Sequence, residues 1–238
     1  MKNKITVVFS SHLSDQINND FIDHVAQTIG VKHETYLYPN FNEFSLPEIY
    51  NRAISEHHDD DAIMLFVHND IYFDTMDWGK KLLAHFNNKN NDYQIIGMAG
   101  SQYIPSNGCW WLTEDGKAMN YKDMIGIVNH DNGIRKWESR YSEPFFGVKP
   151  VVCIDGLFMA IDTSDISHGF DERFGKYHYY DLSFVFPNIL DGYNAGVITD
   201  IRITHKSIGE TNDEWELNRK KFIEIYKNEL PFHINEYL

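Results

Sequence analysis

Positive charge is scarce in this chain. Its 238 residues carry 21 Lys and Arg against 35 Asp and Glu, a formal net charge of −14. A nucleic-acid-binding surface works by displacing counterions with a stripe of cations, and no such stripe runs along the sequence. The same deficit weakens attraction to an anionic membrane, leaving only a small basic patch for peripheral association. Cysteine is scarcer still: Cys109 and Cys153 are too few for a disulfide framework, and Cys153, inside VVCI, reads as a small core residue. Long apolar runs are missing. No stretch approaches the ~18 residues of a membrane span. The apolar run in the opening MKNKITVVFSSH is too short for a signal peptide, and polar residues follow at once. Internal repeats and low-complexity tracts are also missing. These absences point to a soluble chain of the reducing cytoplasm. What is present is material for a core, since 42% of residues are hydrophobic and 15% aromatic, and 238 residues suit one large domain.

Periodicity supplies the order of elements. Ile5–Phe9 reads as a strand, and SSHLSD as a loop with Ser14 or Asp15 as helix cap. Ile17, Phe21, Val25 and Ile29 form an apolar helix stripe that Gly30 can end. His33–Tyr38 alternates as a second strand. SLPE places a Ser three residues before a Glu, with Pro in the first turn, so Ser45 caps a helix running to about Glu56. Asp59–Asp61 is a solvated acidic turn. Ala62–Val67 is a third strand, Met76–Phe86 a helix, and Gln94–Met98 a further buried strand. This βαβαβαβ rhythm predicts a parallel sheet covered on both sides by helices, with the loops after Phe9, Val67 and Met98 on one edge. After Gly100 the rhythm breaks. Residues 101–149 are rich in Gly, aromatic and turn residues and read as a lid or an antiparallel extension. Val151–Ile154 and Leu157–Ile161 flank Asp155-Gly156, a helix opens near Asp181 with Pro187 kinking or ending it, Ala195–Thr204 is a late strand ending at His205, and residues 213–230 form a charged amphipathic helix.

The stretch MLFVHNDIYF, Met64 to Phe73, carries the chemical interest. An apolar run that ends in His68-Asn69-Asp70 places an imidazole, an amide and a carboxylate where burial is costly unless they are solvated or bind something. Asn-Asp is also good turn chemistry. The carboxyl edge of an open α/β sheet is the usual place for a ligand.

Taken in order, the βαβ half, the acidic strand end near residue 70, DG at 155–156, FDE…YYD over 171–181 and a late His resemble the GT-A glycosyltransferases, specifically the inverting, family 2-like bacterial enzymes with a His-x-Asp strand-end signature. The resemblance implies an α/β fold with a mixed, mainly parallel sheet flanked by helices. It implies a single domain, with residues 1–100 as a nucleotide-binding half and 101–238 as an acceptor-binding half. It also implies a nucleotide-sugar donor, UDP-linked by expectation, a divalent Mn or Mg ion, and a glycan or glycolipid acceptor, with surface polysaccharide synthesis as the expected setting.

Residue by residue, HND stands at the family's DxD motif, with Asp70 as the metal-contacting acid. His68, in place of the first acid, could bond a ribose or approach the metal. His205 corresponds to the late His that completes the metal site; otherwise it is a structural histidine, and Lys206 could meet the diphosphate. Asp181 corresponds to the catalytic base, although Asp is also a favoured helix cap. Ser10 and Ser11 would meet the base or ribose, and Asn51 and Arg52 would line the nucleotide pocket. Asp155 and Gly156 would floor the acceptor site, with Trp110, Trp111 and Trp137 as an acceptor wall or, equally, as core. Other classes considered are a nucleotidyltransferase, disfavoured because SSHLSD lacks a glycine-rich basic loop, a metallohydrolase using His68, Asp70 and His205 with His12, His130 or Asp155, and a catalytically inactive sugar- or nucleotide-binding module. The oligomeric state is not legible.

Overall fold

The computed structural model describes residues 1–117, 122–207, 209 and 211–236; within the irregular 101–149 segment, residues 118–121 lie outside this description. The first half follows the expected rhythm. In order come β1 (Lys4–Ser11), α1 (Asp15–Thr28), β2 (Lys32–Pro39), α2 (Leu46–His57), β3 (Ala62–Val67), β4 (Ile71–Phe73), α3 (Trp78–Phe86) and β5 (Ile95–Gly97). Short strands follow: β6 (Ala99–Ser101), β7 (Tyr103–Ile104), β8 (Met124–Asp131), β9 (Lys136–Arg140), β10 (Lys149–Val151), β11 (Cys153–Ile154) and β12 (Phe158–Ile161). The chain closes with α4 (Tyr180–Leu190), β13 (Ala195–Val197), β14 (Ile203–His205), α5 (Asp213–Ile225) and β15 (Phe232–His233).

The main sheet has the order β10-β13-β5-β12-β3-β1-β2. β1 runs parallel to β2 and β3, and β13 runs parallel to β5. The expected all-parallel core needs correcting at two strands: β12 inserts between β3 and β5, antiparallel to both, and the edge strand β10 runs antiparallel to β13. The sheet is therefore mixed and mainly parallel, as the resemblance implied. A second sheet has the order β11-β6-β8-β14-β4, with β9 on β8, so the 101–149 segment does supply an antiparallel extension. The predicted strand over 195–204 is two strands in different sheets, because a turn after Val197 hands the chain from one sheet to the other.

Alternation along the central strands splits the core in two. Val8, Met64 and Phe66 face α2 and α4, whereas Val7, Phe9, Ile63, Leu65 and Val67 face α1 and α3. A strand buried on both faces needs a continuous apolar run, and every residue of β3 is buried. In α1, Phe21, Val25 and Ile29 pack inward, but Ile17, expected on the same stripe, is 46% exposed. Gly30 takes φ +70°, the left-handed conformation that ends a helix at low cost. α2 carries the full capping box between Ser45 and Glu48, and α4 continues past Pro187 to Leu190.

Candidate active site

Four chain segments meet at the carboxyl edge of the main sheet. β3 ends at Val67, and His68 N–H donates to Leu157 O (3.1 Å), which brings the HND turn beside the turn between β11 and β12. That turn holds Asp155 and Gly156. Gly156 N–H donates to Asp181 Oδ2 (3.0 Å), joining it to the first turn of α4. β14 pairs antiparallel with β4, placing His205 opposite Ile71 and tying Lys206 N–H to Asp70 O (3.0 Å). Strand pairing thus brings His205 next to Asp70 although the two are far apart in sequence.

One ligand atom each from His68, Asp70 and His205 lies within 4.8 Å of the others. His205 Nε2 is 3.4 Å from Asp70 Oδ1, an ion-pair contact longer than a good hydrogen bond, and Asp70 Oδ1 is a buried atom with no hydrogen-bond partner. Burial alone would push the Asp70 carboxyl up, but the imidazoles of His205 and His68 outweigh it and hold it below the usual carboxylate range. Burial would lower His205, and Asp70 outweighs that too, holding the imidazole above its ordinary value. Burial pushes His68 down, so its ring is neutral near pH 7. His68 Nε2 lies 2.7 Å from the Tyr180 hydroxyl. That contact explains Gly156, since a Cβ there would stand 2.1 Å from the same hydroxyl.

Two cavities open on this cluster and share His68 and Tyr177. One, of about 300 Å³, is walled by Ser10, Ser11, Asn40, Tyr50, Asn69 and Asp70, among others. Ser11 Oγ accepts from Leu13 N–H (3.0 Å) and Asn69 Nδ2 (2.9 Å), so it fixes the turn after β1 against the HND turn. The other cavity, of about 390 Å³, is walled by Trp110, Trp111, Trp215, Asp155, Gly156 and Asp181 in particular. Asp181 Oδ1 accepts from its neighbour Leu182 N–H (2.8 Å). Burial above all, and then the charge of Asp155, push the Asp181 carboxyl up to about 7 despite these backbone donors. A carboxyl poised there can take a proton near neutral pH.

No lysine or arginine among the described residues lines either cavity. A diphosphate entering the smaller one meets no lysine or arginine among the described lining residues, only the imidazoles around Asp70. The unpaired, buried oxygen of Asp70, flanked by two imidazoles, is a donor set suited to a divalent cation such as Mn²⁺.

Most of the residues expected from sequence converge here: Ser10, Ser11, His68, Asp70, Asp155, Gly156, Trp110, Trp111, Asp181 and His205. Asn51 and Arg52 are placed elsewhere. Residues advance about 100° around a helix, so with Tyr50 facing the cavity its two successors turn away. Asn51 is spent on the Phe170 backbone and Glu172, and exposed Arg52 pairs with Glu56 (2.7 Å). Lys206 sits over the Tyr72 ring at 5.3 Å. His130 stacks on Trp137 and comes no nearer to His205 than 6.0 Å between ring centres, outside the three-residue cluster. Asn40, Asn42, Tyr50, Tyr177 and Trp215 were not read from sequence. The two Asn follow the end of β2, parallel to β1, so the rule that ligands bind at the carboxyl edge reaches them too.

Comparison with known proteins bears on the family and the fold. The Glycosyltransferase like family matches over residues 17–226. GalNAc-T7, solved with UDP, GalNAc and Mn²⁺, superposes with a TM-score of 0.60 at 8% identity over 94% of this chain and 48% of its own, so this chain spans about half that protein's length. TarS of S. aureus gives 0.55 at 11% identity, covering 98% of this chain and 41% of that one. The mannosyltransferase PcManGT from Pyrobaculum calidifontis, in complex with GDP-Man and Mn²⁺, gives 0.50 at 8% identity, covering 95% and 70%. At such identities the likeness is one of fold, and no curated protein matches the sequence. With a GT-A architecture and a family match across most of its length, the chain belongs to the Glycosyltransferase like family.

Proposed function

We propose that the chain moves a sugar from a nucleotide-sugar donor, UDP-linked by preference, to a hydroxyl of a glycan acceptor with inversion at the anomeric carbon. The observation that carries the reading is the shared wall at His68. On one side lie an orphaned carboxylate oxygen and two imidazoles, and on the other a carboxyl poised near 7. The nucleoside occupies the smaller cavity, bonded by Ser10 and Asn69, with its diphosphate toward Asp70. Asp70 and His205 hold the divalent cation, with His68 beside them; when bound, it supplies the positive charge that a departing diphosphate requires. The acceptor hydroxyl lies in the larger cavity. Its oxygen bonds to the anomeric carbon as the bond to the phosphate oxygen breaks on the opposite face. The hydroxyl proton passes to Asp181, and the nucleoside diphosphate leaves. Two buried, unpaired cysteines suit a reducing compartment such as the cytoplasm; a role in surface polysaccharide synthesis is part of the same reading and rests on family analogy.

The test is a thermal-shift screen of UDP, GDP, CDP and CMP with and without Mn²⁺. One nucleotide, UDP by expectation, should raise Tm only with the metal, and Asp70→Asn should remove that rise. Equal shifts without metal, or none for any nucleotide, would overturn the assignment.

A further inference from the structure

The larger cavity carries a second kind of information, in its charge. Its aromatic side is continuous: Trp110 meets Trp111 edge-on (ring centres 5.5 Å, 88°), and Trp111 meets Trp215 at 5.6 Å. Indole faces hold the C–H face of a sugar ring well. The polar side holds two carboxyl groups, Asp155 and Asp181. One Asp155 oxygen accepts from Leu157 N–H (3.1 Å), which leaves the carboxylate's remaining lone pairs to accept from hydroxyls. Nothing cationic balances this pair among the described lining residues. His178 is pushed below the ordinary imidazole value by burial and is neutral near pH 7. Arg219 is committed to Glu216 and to Asn107 O, and Lys176 to Glu214 (3.3 Å).

We propose that this cavity selects an uncharged sugar as acceptor and rejects sugars carrying a carboxylate or phosphate. The inference rests on the transfer reading above and narrows its acceptor. A neutral ring stacks on Trp111 and Trp215 and donates hydroxyl hydrogen bonds to Asp155 and Asp181. A uronate or sugar phosphate brings a further negative charge into a half-buried site whose described lining already holds Asp155 and Asp181 and no lysine or arginine, within a chain of net charge −14. Discrimination by an unpaired like charge is stronger than discrimination by shape alone.

The test uses matched sugars: methyl hexosides, the corresponding methyl uronides and the hexoside 6-phosphates. They are titrated against the whole chain by tryptophan fluorescence and calorimetry, with UDP and Mn²⁺ first absent and then present. At least one neutral glycoside should bind saturably and at least 10-fold more tightly than its acidic counterparts. Trp111→Ala should weaken it about 10-fold, with Trp111→Phe intermediate. Asp155→Asn should narrow the gap between neutral and acidic members. Acidic members binding equally well or better, or no neutral glycoside saturating in either state, would overturn the inference. The Mn²⁺-dependent shift by UDP is measured on the same preparations. If that shift is missing while the neutral preference holds, the transfer reading fails and the charge selection stands.

Discussion

Asp181 is pulled in opposite directions. The positive end of α4 and two backbone N–H groups favour its charged form, while burial and Asp155 disfavour it more, and the balance settles at about 7. The folded protein therefore holds a proton that the unfolded chain has released between the ordinary value of 3.8 and about 7. Stability falls as pH rises through that window and is flat above it. With Asp181 in the proposed base role, activity should run the other way, rising through pH 7 as the carboxyl loses its proton. Asp181→Asn should abolish transfer and leave UDP·Mn²⁺ affinity within a few-fold of wild type. It should also remove the decline of Tm between pH 4 and 7, a contribution on the order of 4 kcal/mol above pH 7. The check is a pair of Tm-against-pH curves with nucleotide titrations; an unchanged slope would mean that another group carries the proton. The carboxylate was legible from YYD at a helix opening. Its partner was not, because the bond to Gly156 joins residues 25 apart in sequence, and no local pattern encodes it. The same holds for Tyr180, whose hydroxyl reaches His68 across the sheet edge.

Among the elements, the ones that declare their own ends were readable. α2 shows Ser45, Pro47 and Glu48 in capping order, and the structure returns Glu48 N–H to Ser45 Oγ (3.4 Å) and Ser45 N–H to Glu48 Oε2 (2.7 Å). β3 announces itself as an unbroken apolar run. β12 does not announce its antiparallel place between β3 and β5, and β15 gives no sign of pairing with β7, because pairing partners are chosen by tertiary packing rather than by period. The late strand was misread as one because Ile201 and Ile203 resume an alternating pattern after the chain has bent near Thr199 and Asp200 and changed sheets. Ser45→Ala should lower stability by about 1 kcal/mol, measured as a shift of the urea midpoint at constant slope. Leu46 and Tyr50, on the same helix, wall the smaller cavity, so a modest loss of UDP affinity should accompany it. A variant as stable as wild type would show that packing of Ile49, Tyr50 and Ala53 alone sets the helix.

At the scale of the whole molecule, stability concentrates where both core layers share a strand. β1, β3 and β12 contribute side chains to both, so their amides should exchange last in hydrogen–deuterium exchange. Those of the β9 edge, whose residues alternate between exposed and partly buried, should exchange among the first. Protection spread evenly over both sheets would contradict a two-layer core. The shared boundary at His68 and Tyr177 has a different consequence. Donor and acceptor preferences are linked by one wall, so a substitution that enlarges one chamber encroaches on the other, and Michaelis constants for the two substrates move together. Even the far side of the smaller chamber is tied to that wall, because the Tyr177 hydroxyl donates to Asn42 Oδ1 and Tyr50 packs edge-on against Tyr180, so reshaping the nucleotide end is felt at the other chamber too.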